Sequence, residues 1–185
     1  MTDDELKRAL CKHAYLEGDF VLRSGRRSRY YLDKYRFETR PELLAALGER
    51  IAATVREHAP DARRLAGPEL GAVALAASGS LASGLPFVIV RKAAKEYGTA
   101  NRIEGAHEAG DVVCVVEDVV TSGGALLASV EALRNAGLTV RTAVCVVDRE
   151  EGGVDALARH AVRLRPLFRA SELLAAPENA AKPHG

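Results

Sequence analysis

Two adjacent carboxylates, Glu117 and Asp118, follow the apolar run Val112-Val113-Cys114-Val115-Val116, and the segment Val119-Val120-Thr121-Ser122-Gly123-Gly124-Ala125 follows them. A strand end does not accept paired charge without a partner or a ligand, because unpaired buried charge is costly. A diol of a sugar, which donates hydroxyls to such acceptors, is one such ligand. Downstream, Thr121 to Ala125 can turn backbone N–H groups toward a phosphate, since Gly123 and Gly124 permit close approach and unusual backbone angles. A helix starting there adds its positive dipole end. The order strand, carboxylates, small-residue loop, helix therefore reads as a sugar-phosphate site. It is not a nucleoside-triphosphate P-loop, because no lysine follows the glycines, and G-x-G-x-x-G is missing after the strand. An ordinary strand-to-helix turn with solubilising acids fits less well.

The elements that must position these residues alternate. A helix is expected over Asp4–Glu17, with Leu6, Leu10 and Ala14 inward and Gly18 as its stop. Asp19 to Tyr35 mixes strand-like residues with the basic turn Arg23–Arg29 and reads as a hairpin or hood. Pro41 opens a helix to about His58, at a position where proline is tolerated. Then come a strand at Arg64–Ala66, a loop at Gly67–Gly71, a helix at Val73–Ser83 and a strand at Pro86–Val90. A long polar loop leads to the strand Val112–Val116, a helix at Ala125–Asn135 with Gly137 beyond it, and a strand at Val140–Val147. This order predicts an α/β fold, a central mostly parallel sheet flanked by helices, with ligands beyond the carboxyl ends of the strands. Residues 1–175 read as one domain, with a small hood over about 1–40, and 176–185 as a disordered tail.

The bulk composition agrees with this. The chain has 185 residues, 48% hydrophobic and 28% charged, and a formal net charge of +1. That size supports one core, and the charge gives no reason to expect a nucleic-acid or membrane surface as partner. The three cysteines suggest no disulfide framework, with Cys114 and Cys145 set in valine-rich strands as core residues and Cys11 on the first helix. The N-terminus is too polar for a signal peptide and no apolar run is long enough to span a bilayer, so a cytoplasmic protein is expected. The histidines show no metal-ligand spacing.

A second motif, Arg91-Lys92-Ala93-Ala94-Lys95-Glu96-Tyr97-Gly98-Thr99-Ala100-Asn101-Arg102-Ile103-Glu104-Gly105, follows an apolar strand and carries four cations. Alone it reads as a solvated loop, unsuited to core packing; beside a phosphate site it could close over a departing anion.

The E-D-V-V-T-S-G-G run resembles the ribose-phosphate signature of the type I phosphoribosyltransferases, which use phosphoribosyl pyrophosphate (PRPP). The order R-K-x-x-K-x-x-G resembles the catalytic loop of one branch, the orotate phosphoribosyltransferases. Phe20-Val21-Leu22-Arg23-Ser24-Gly25-Arg26-Arg27-Ser28-Arg29-Tyr30-Tyr31 resembles that branch's base-pocket segment, Gly67-Pro68-Glu69-Leu70-Gly71 its pyrophosphate-side loop, and Asp148-Arg149-Glu150-Glu151-Gly152 its D-R-x-E-G segment. The resemblance spans Phe20 to Leu174, with the motifs in order.

It implies transfer of a phosphoribosyl group from PRPP to orotate. Lys92, Lys95 and Asp118 would be catalytic. PRPP would be bound by Arg91, Lys92, Lys95, Tyr97, Glu117, Asp118, Val119, Val120, Thr121, Ser122, Gly123, Gly124 and Ala125. Orotate would meet Arg23, Tyr30, Tyr31, Thr121 and Arg149. Mg2+ would arrive on PRPP and water, with no direct protein ligand, and the loop's reach into a neighbouring site implies a homodimer. Two departures stand out: Tyr97 replaces a common histidine, and the pyrophosphate-side loop lacks a lysine that some members carry. Another base specificity, or a non-catalytic PRPP sensor using Arg23–Arg29 on nucleic acid, remains open at this level.

Overall fold

The computed structural model describes residues 1–21, 25, 27–93 and 102–175. Helix α1 (Asp3–Ala14) starts on a reciprocal cap in which the Thr2 hydroxyl accepts from the Glu5 amide and the Glu5 carboxylate accepts from the Thr2 amide. Its buried stripe is Leu6, Leu10, Cys11 and Ala14. The helix ends there, three residues earlier than the sequence suggests, and Gly18 does not terminate it. The chain instead enters strand β1 (Tyr15–Val21), which pairs antiparallel with β2 (Arg27–Leu32) through Tyr15 with Leu32 and Glu17 with Tyr30. Cross-strand pairing has overridden a weak helical periodicity.

The short helix α2 (Tyr35–Glu38) leads to α3 (Pro41–His58), which has its proline at the first turn. Strand β3 (Arg64–Pro68) and helix α4 (Gly71–Ser83) follow, the latter closed by Gly84 at φ +76°. Next come β4 (Phe87–Val90), β5 (Ile103–Glu104), β6 (Val112–Val120) and α5 (Gly124–Asn135). The chain continues through β7 (Thr139–Asp148), α6 (Gly153–Arg159), β8 (Arg163–Arg169) and α7 (Ala170–Leu174).

The main sheet has the order β5-β4-β3-β6-β7-β8. It is parallel except for the β4–β5 pair. This is the mostly parallel, helix-flanked sheet expected from the sequence. Strand β6 is buried on both faces, which is why it reads as a continuous valine run rather than an alternation. Cys114 and Val116 join the core with α1, α3 and α4, including Leu6, Leu47, Ile51 and Leu75. Val113 and Val115 join the opposite core with Leu126, Val130 and Leu133 of α5. All three cysteines are buried thiols outside any disulfide. Among the described residues no helix is long and apolar enough to cross a membrane.

Two boundaries correct the sequence reading. Strand β6 runs on to Val120, so Glu117 and Asp118 lie within it and not beyond its end. The far end of the segment 91–105 is core: Ile103 is 5% exposed and pairs with Val90. The sheet thus gains an edge strand that a cation-rich composition hides.

From β3 the chain turns through α4 to β4 on one side, whereas β6 leads through α5 to β7 on the other. The strand order reverses between β3 and β6, and loops leaving their carboxyl ends diverge around a crevice. Because Ile103 anchors the β5 edge, Ile103→Ala is expected to cost about 2–5 kcal/mol, the usual range for truncating a buried isoleucine. Lys92→Ala, at an exposed position, is expected to stay within about 0.5 kcal/mol. Urea unfolding of both variants checks the contrast.

Candidate active site

The floor of the crevice is acidic. Asp118 is 4% exposed, as is Glu38 of α2. Lys34, which precedes α2, places its Nζ 2.6 Å from Asp118 Oδ2. Asp118 Oδ1 accepts from the Val119 amide at 2.6 Å, and Glu117 Oε1 accepts from the Asp118 amide at 3.1 Å. The other wall is the start of α4. A Cβ on Gly71 would overlap Asp118 Oδ2 and lie 2.7 Å from Lys34 Nζ, so only glycine lets α4 come this close to the ion pair.

Several carboxylates crowd this dry place beside a single ammonium. Burial, followed by the charge of Asp118, pushes the Glu38 carboxyl up to about 8. Glu117 is pushed up for the same two reasons in the same order. Burial opposes the charge on Lys34, but the hydrogen bond and charge of Asp118 outweigh it and raise its pKa.

Beyond β6 the chain turns through Thr121 and Ser122, both exposed, into Gly123 at φ +85°, where α5 begins without a side-chain cap. Its leading N–H groups and dipole therefore face the crevice mouth as an anion seat. The turn is braced from below: a Cβ on Gly153 would come within 2.6 Å of the Thr121 carbonyl oxygen. The Arg149 amide donates to the Val120 carbonyl at 2.9 Å. The D-R-x-E-G segment is thus physically docked to the phosphate turn.

Arg149 is nearly buried, its side chain 8% exposed, with Nε 3.2 Å from Glu151 Oε1. Its guanidinium lies 4.9 Å over the Tyr30 ring, and Tyr30 stacks on Tyr15 at 5.7 Å. Tyr31 alternates to the other face of the ribbon, 41% exposed and beside Phe20. On the β4 side, Arg91 lies 3.8 Å from both Glu69 and Glu104. The Lys92 amide donates to Glu69 Oε1 at 2.6 Å while its side chain is exposed.

The structure therefore gathers Glu117, Asp118, Val119, Val120, Thr121, Ser122, Gly123, Gly124 and Ala125 on one continuous turn, with Tyr30 and Arg149 stacked together. It does not bring Tyr31 to that stack. Arg91 spans two carboxylates at the crevice edge. Arg23, Lys95 and Tyr97 lie outside the described residues. Sequence reasoning missed Lys34, Glu38 and Tyr15. The one available signal was the four-residue spacing of Lys34 and Glu38, which places them on one helical face.

A reversal crevice with an acidic floor, a glycine turn at a helix N-terminus and a pinned arginine is the architecture of a phosphoribosyltransferase. Residues 38–164 match the family model described as phosphoribosyl transferase domain. The orotate phosphoribosyltransferase of Methanocella arvoryzae is 53% identical over 157 residues, 85% of this chain and 88% of that protein. That of Halobacterium salinarum is 49% identical over 173 residues, covering 94% of this chain and 97% of the relative. The solved orotate phosphoribosyltransferase of Mycobacterium tuberculosis superposes with a TM-score of 0.82 at 31% identity, covering 92% of this chain and 98% of that one. Its complex with PRPP gives 0.75 at 30% identity, with coverage of 92% and 98%. The chain belongs to the phosphoribosyltransferase family, in its orotate branch.

Glu38 binds a proton more tightly when folded, near 8, than at its ordinary value of 4.5. Between these values the folded state holds more protons than the unfolded one, so stability contributed at this site falls as pH rises from about 5 to about 8. Glu38→Gln is expected to remove that part of the slope. Its melting temperature at pH 8.5 should exceed that of the parent by about 2–4 °C, the shift of roughly 1 kcal/mol in a chain of this size, with little gain at pH 5. Paired thermal melts across pH measure it.

Proposed function

We propose that this chain is an orotate phosphoribosyltransferase that joins orotate to the phosphoribosyl group of PRPP, releasing orotidine 5′-monophosphate and pyrophosphate. The observation that carries the reading is the attachment of Arg149 to the phosphate turn. A buried guanidinium, its face taken by Tyr30, offers its N–H edge at a fixed place beyond a sugar-phosphate seat. A planar base bearing a carboxylate matches such an edge; a neutral purine offers no charge to complement it.

In this reading Glu117 and Asp118 accept the ribose diol, and the Thr121–Ala125 turn holds the 5′-phosphate through N–H groups and the Thr121 and Ser122 hydroxyls. Val119 and Val120 fix the turn's backbone. Lys92, Lys95 and Tyr97 face pyrophosphate, and Arg91 holds the base of their segment against Glu69 and Glu104. Thr121, Tyr30 and Arg149 border orotate, with Arg23 contributing from the hood. The nearly buried floor suits a transition state with positive charge on the ribose carbon, since Asp118 places negative charge there. No protein nucleophile is required, so rate comes from positioning and charge stabilisation.

Mg2+ fits the chemistry of the donors present: the hard carboxylate oxygens of Glu117 and Asp118 would orient the diol, and the cation would arrive with PRPP and keep much of its water. When bound it neutralises charge on the pyrophosphate. We read residues 1–175 as one catalytic domain with the β1–β2 ribbon as its hood. Family resemblance supports a homodimer with a shared loop, and a cytoplasmic setting follows from the substrates.

The direct test is loss of orotate absorbance with PRPP and Mg2+, beside adenine, hypoxanthine and uracil; turnover of a purine with orotate inert would sink the assignment. Arg149→Gln is expected to raise the KM for orotate by about 10- to 100-fold, the worth of a charge-assisted hydrogen bond, with PRPP binding little changed. Lys95→Ala is expected to lower kcat by on the order of 10²–10³ with orotate binding retained. A near-normal kcat would remove Lys95 from the chemistry.

A further inference from the structure

We propose that Lys34 is the cation of the pyrophosphate subsite, and that Glu38 is the buried positioning residue that keeps it aimed there; this rests on the ribose-phosphate reading of Asp118 and the Thr121–Ala125 turn. In the free protein Lys34 Nζ bonds Asp118 at 2.6 Å. Its position is more telling than its partner. The space a Gly71 Cβ would need lies within 2.7 Å of the same Nζ. The ammonium therefore sits where the loop after β3 meets the carboxylate of β6, between the ribose acceptor and the opposite wall. Its side chain is 31% exposed, against 5% for Asp118, so part of it remains accessible to a ligand. An ammonium has three donors, and the bond to Asp118 uses one.

A pyrophosphate seated against the opposite wall would need a cation. Gly67-Pro68-Glu69-Leu70-Gly71 supplies none, and Leu70 is 70% exposed. Arg91, the nearest guanidinium on that side, is held between Glu69 and Glu104. Helix α4 starts there with no side-chain cap, which leaves its leading N–H groups and dipole beside the Lys34 ammonium. Two positive features thus converge on one spot beyond Asp118.

Glu38 makes the exchange feasible. It lies one helical turn after Lys34, its amide donating to the Lys34 carbonyl at 3.0 Å. It is 4% exposed, and its Oε1 has no hydrogen-bond partner among the described residues. Tyr35 covers the ammonium from another side, its ring centroid 5.4 Å away. When ribose hydroxyls take up Asp118, the unpartnered Glu38 Oε1 remains below as an acceptor for one Lys34 donor, and the remaining donors turn to the pyrophosphate oxygens. Residues 33–37 precede the matched family region, which begins at residue 38, so this cation reaches the site from the hood side of the chain.

The test separates the pyrophosphate end of PRPP from its ribose end. Lys34→Met, Lys34→Arg and Glu38→Gln are titrated calorimetrically with PRPP, pyrophosphate and ribose 5-phosphate, each with Mg2+. Lys34→Met is expected to weaken PRPP and pyrophosphate by the same factor, roughly 10- to 100-fold, and ribose 5-phosphate by less than about threefold. Lys34→Arg should recover most of the loss, and Glu38→Gln should show a smaller loss with the same pattern. Equal weakening of PRPP and ribose 5-phosphate would mean that Lys34 merely orients Asp118, and would overturn the proposal, as would unchanged pyrophosphate affinity. If Lys34→Met unfolds because Asp118 is left uncompensated, the same comparison is made in Asp118→Asn, with and without Lys34→Met. Loss of pyrophosphate affinity on adding Lys34→Met is again expected, and its absence overturns the proposal. Ser122→Asp, which places a charge in the turn, serves as control: retained ribose 5-phosphate binding there would refute the underlying site reading, independently of Lys34.

Discussion

An acidic cluster with one ammonium, enclosed at the carboxyl end of a buried strand, sets the terms for the rest of the molecule. Glu38, Glu117 and Asp118 crowd together where water is scarce, and among the described residues Lys34 is the cation that offsets them directly. Removing one partner of such a buried pair leaves an uncompensated charge, a loss of several kcal/mol in typical cases. Hence the backbone must hold α4, α2 and β6 in a fixed relation. Gly71 has no Cβ because the pair occupies that space. Lys34 links the segment after the ribbon to the central strand, so the ribbon's position and the charge state of the crevice are one problem.

Around that floor the charges are arranged by sign. The α5 terminus and its glycine turn face one end, Arg149 a second, and Lys34 with the α4 terminus a third. A ligand complementary to this set has hydroxyls in the middle and anionic groups at its extremities. PRPP with orotate has that pattern: a diol flanked by phosphate, pyrophosphate and a carboxylate. The stacked column Tyr15, Tyr30, Arg149 removes rotational freedom from a side chain that would otherwise lose entropy on binding.

Much of this arrangement is legible in the amino-acid sequence. The valine run, the two carboxylates and the glycine turn announce strand, acceptors and anion seat, because each rests on local chemistry and a short spacing. Alternation of strands and helices implies the parallel sheet. The features that escape are of another kind. The end of α1 does not show in the periodicity, because pairing of Tyr15 with Leu32, a contact 17 residues away, outweighs it. Charged residues after Val116 read as the exit from β6, yet the strand continues, and the charges are tolerated because Lys34 meets one of them. The edge strand at Ile103 is hidden because charged residues, Arg102 and Glu104, flank its one large apolar side chain. Lys34 and Glu38 are invisible as site residues, since nothing within the chain's own spacing says that α2 lies under β6.

The invisible part is also the part that couples the subsites. Tyr30 supports Arg149, Lys34 holds Asp118, and Glu38 lies beneath, all within nine consecutive residues. The Asp33 amide, donating to the Ala14 carbonyl at 2.8 Å, ties this stretch to the end of α1. A shift of the stretch therefore moves the arginine's support and the acidic floor's cation together. On the proposed reading, base recognition and the handling of ribose and pyrophosphate are therefore not independent modules on separate loops. Both ends then rest on this one connection, so a ligand that settled one end would favour the geometry of the other, by the reciprocity that any such coupling obeys.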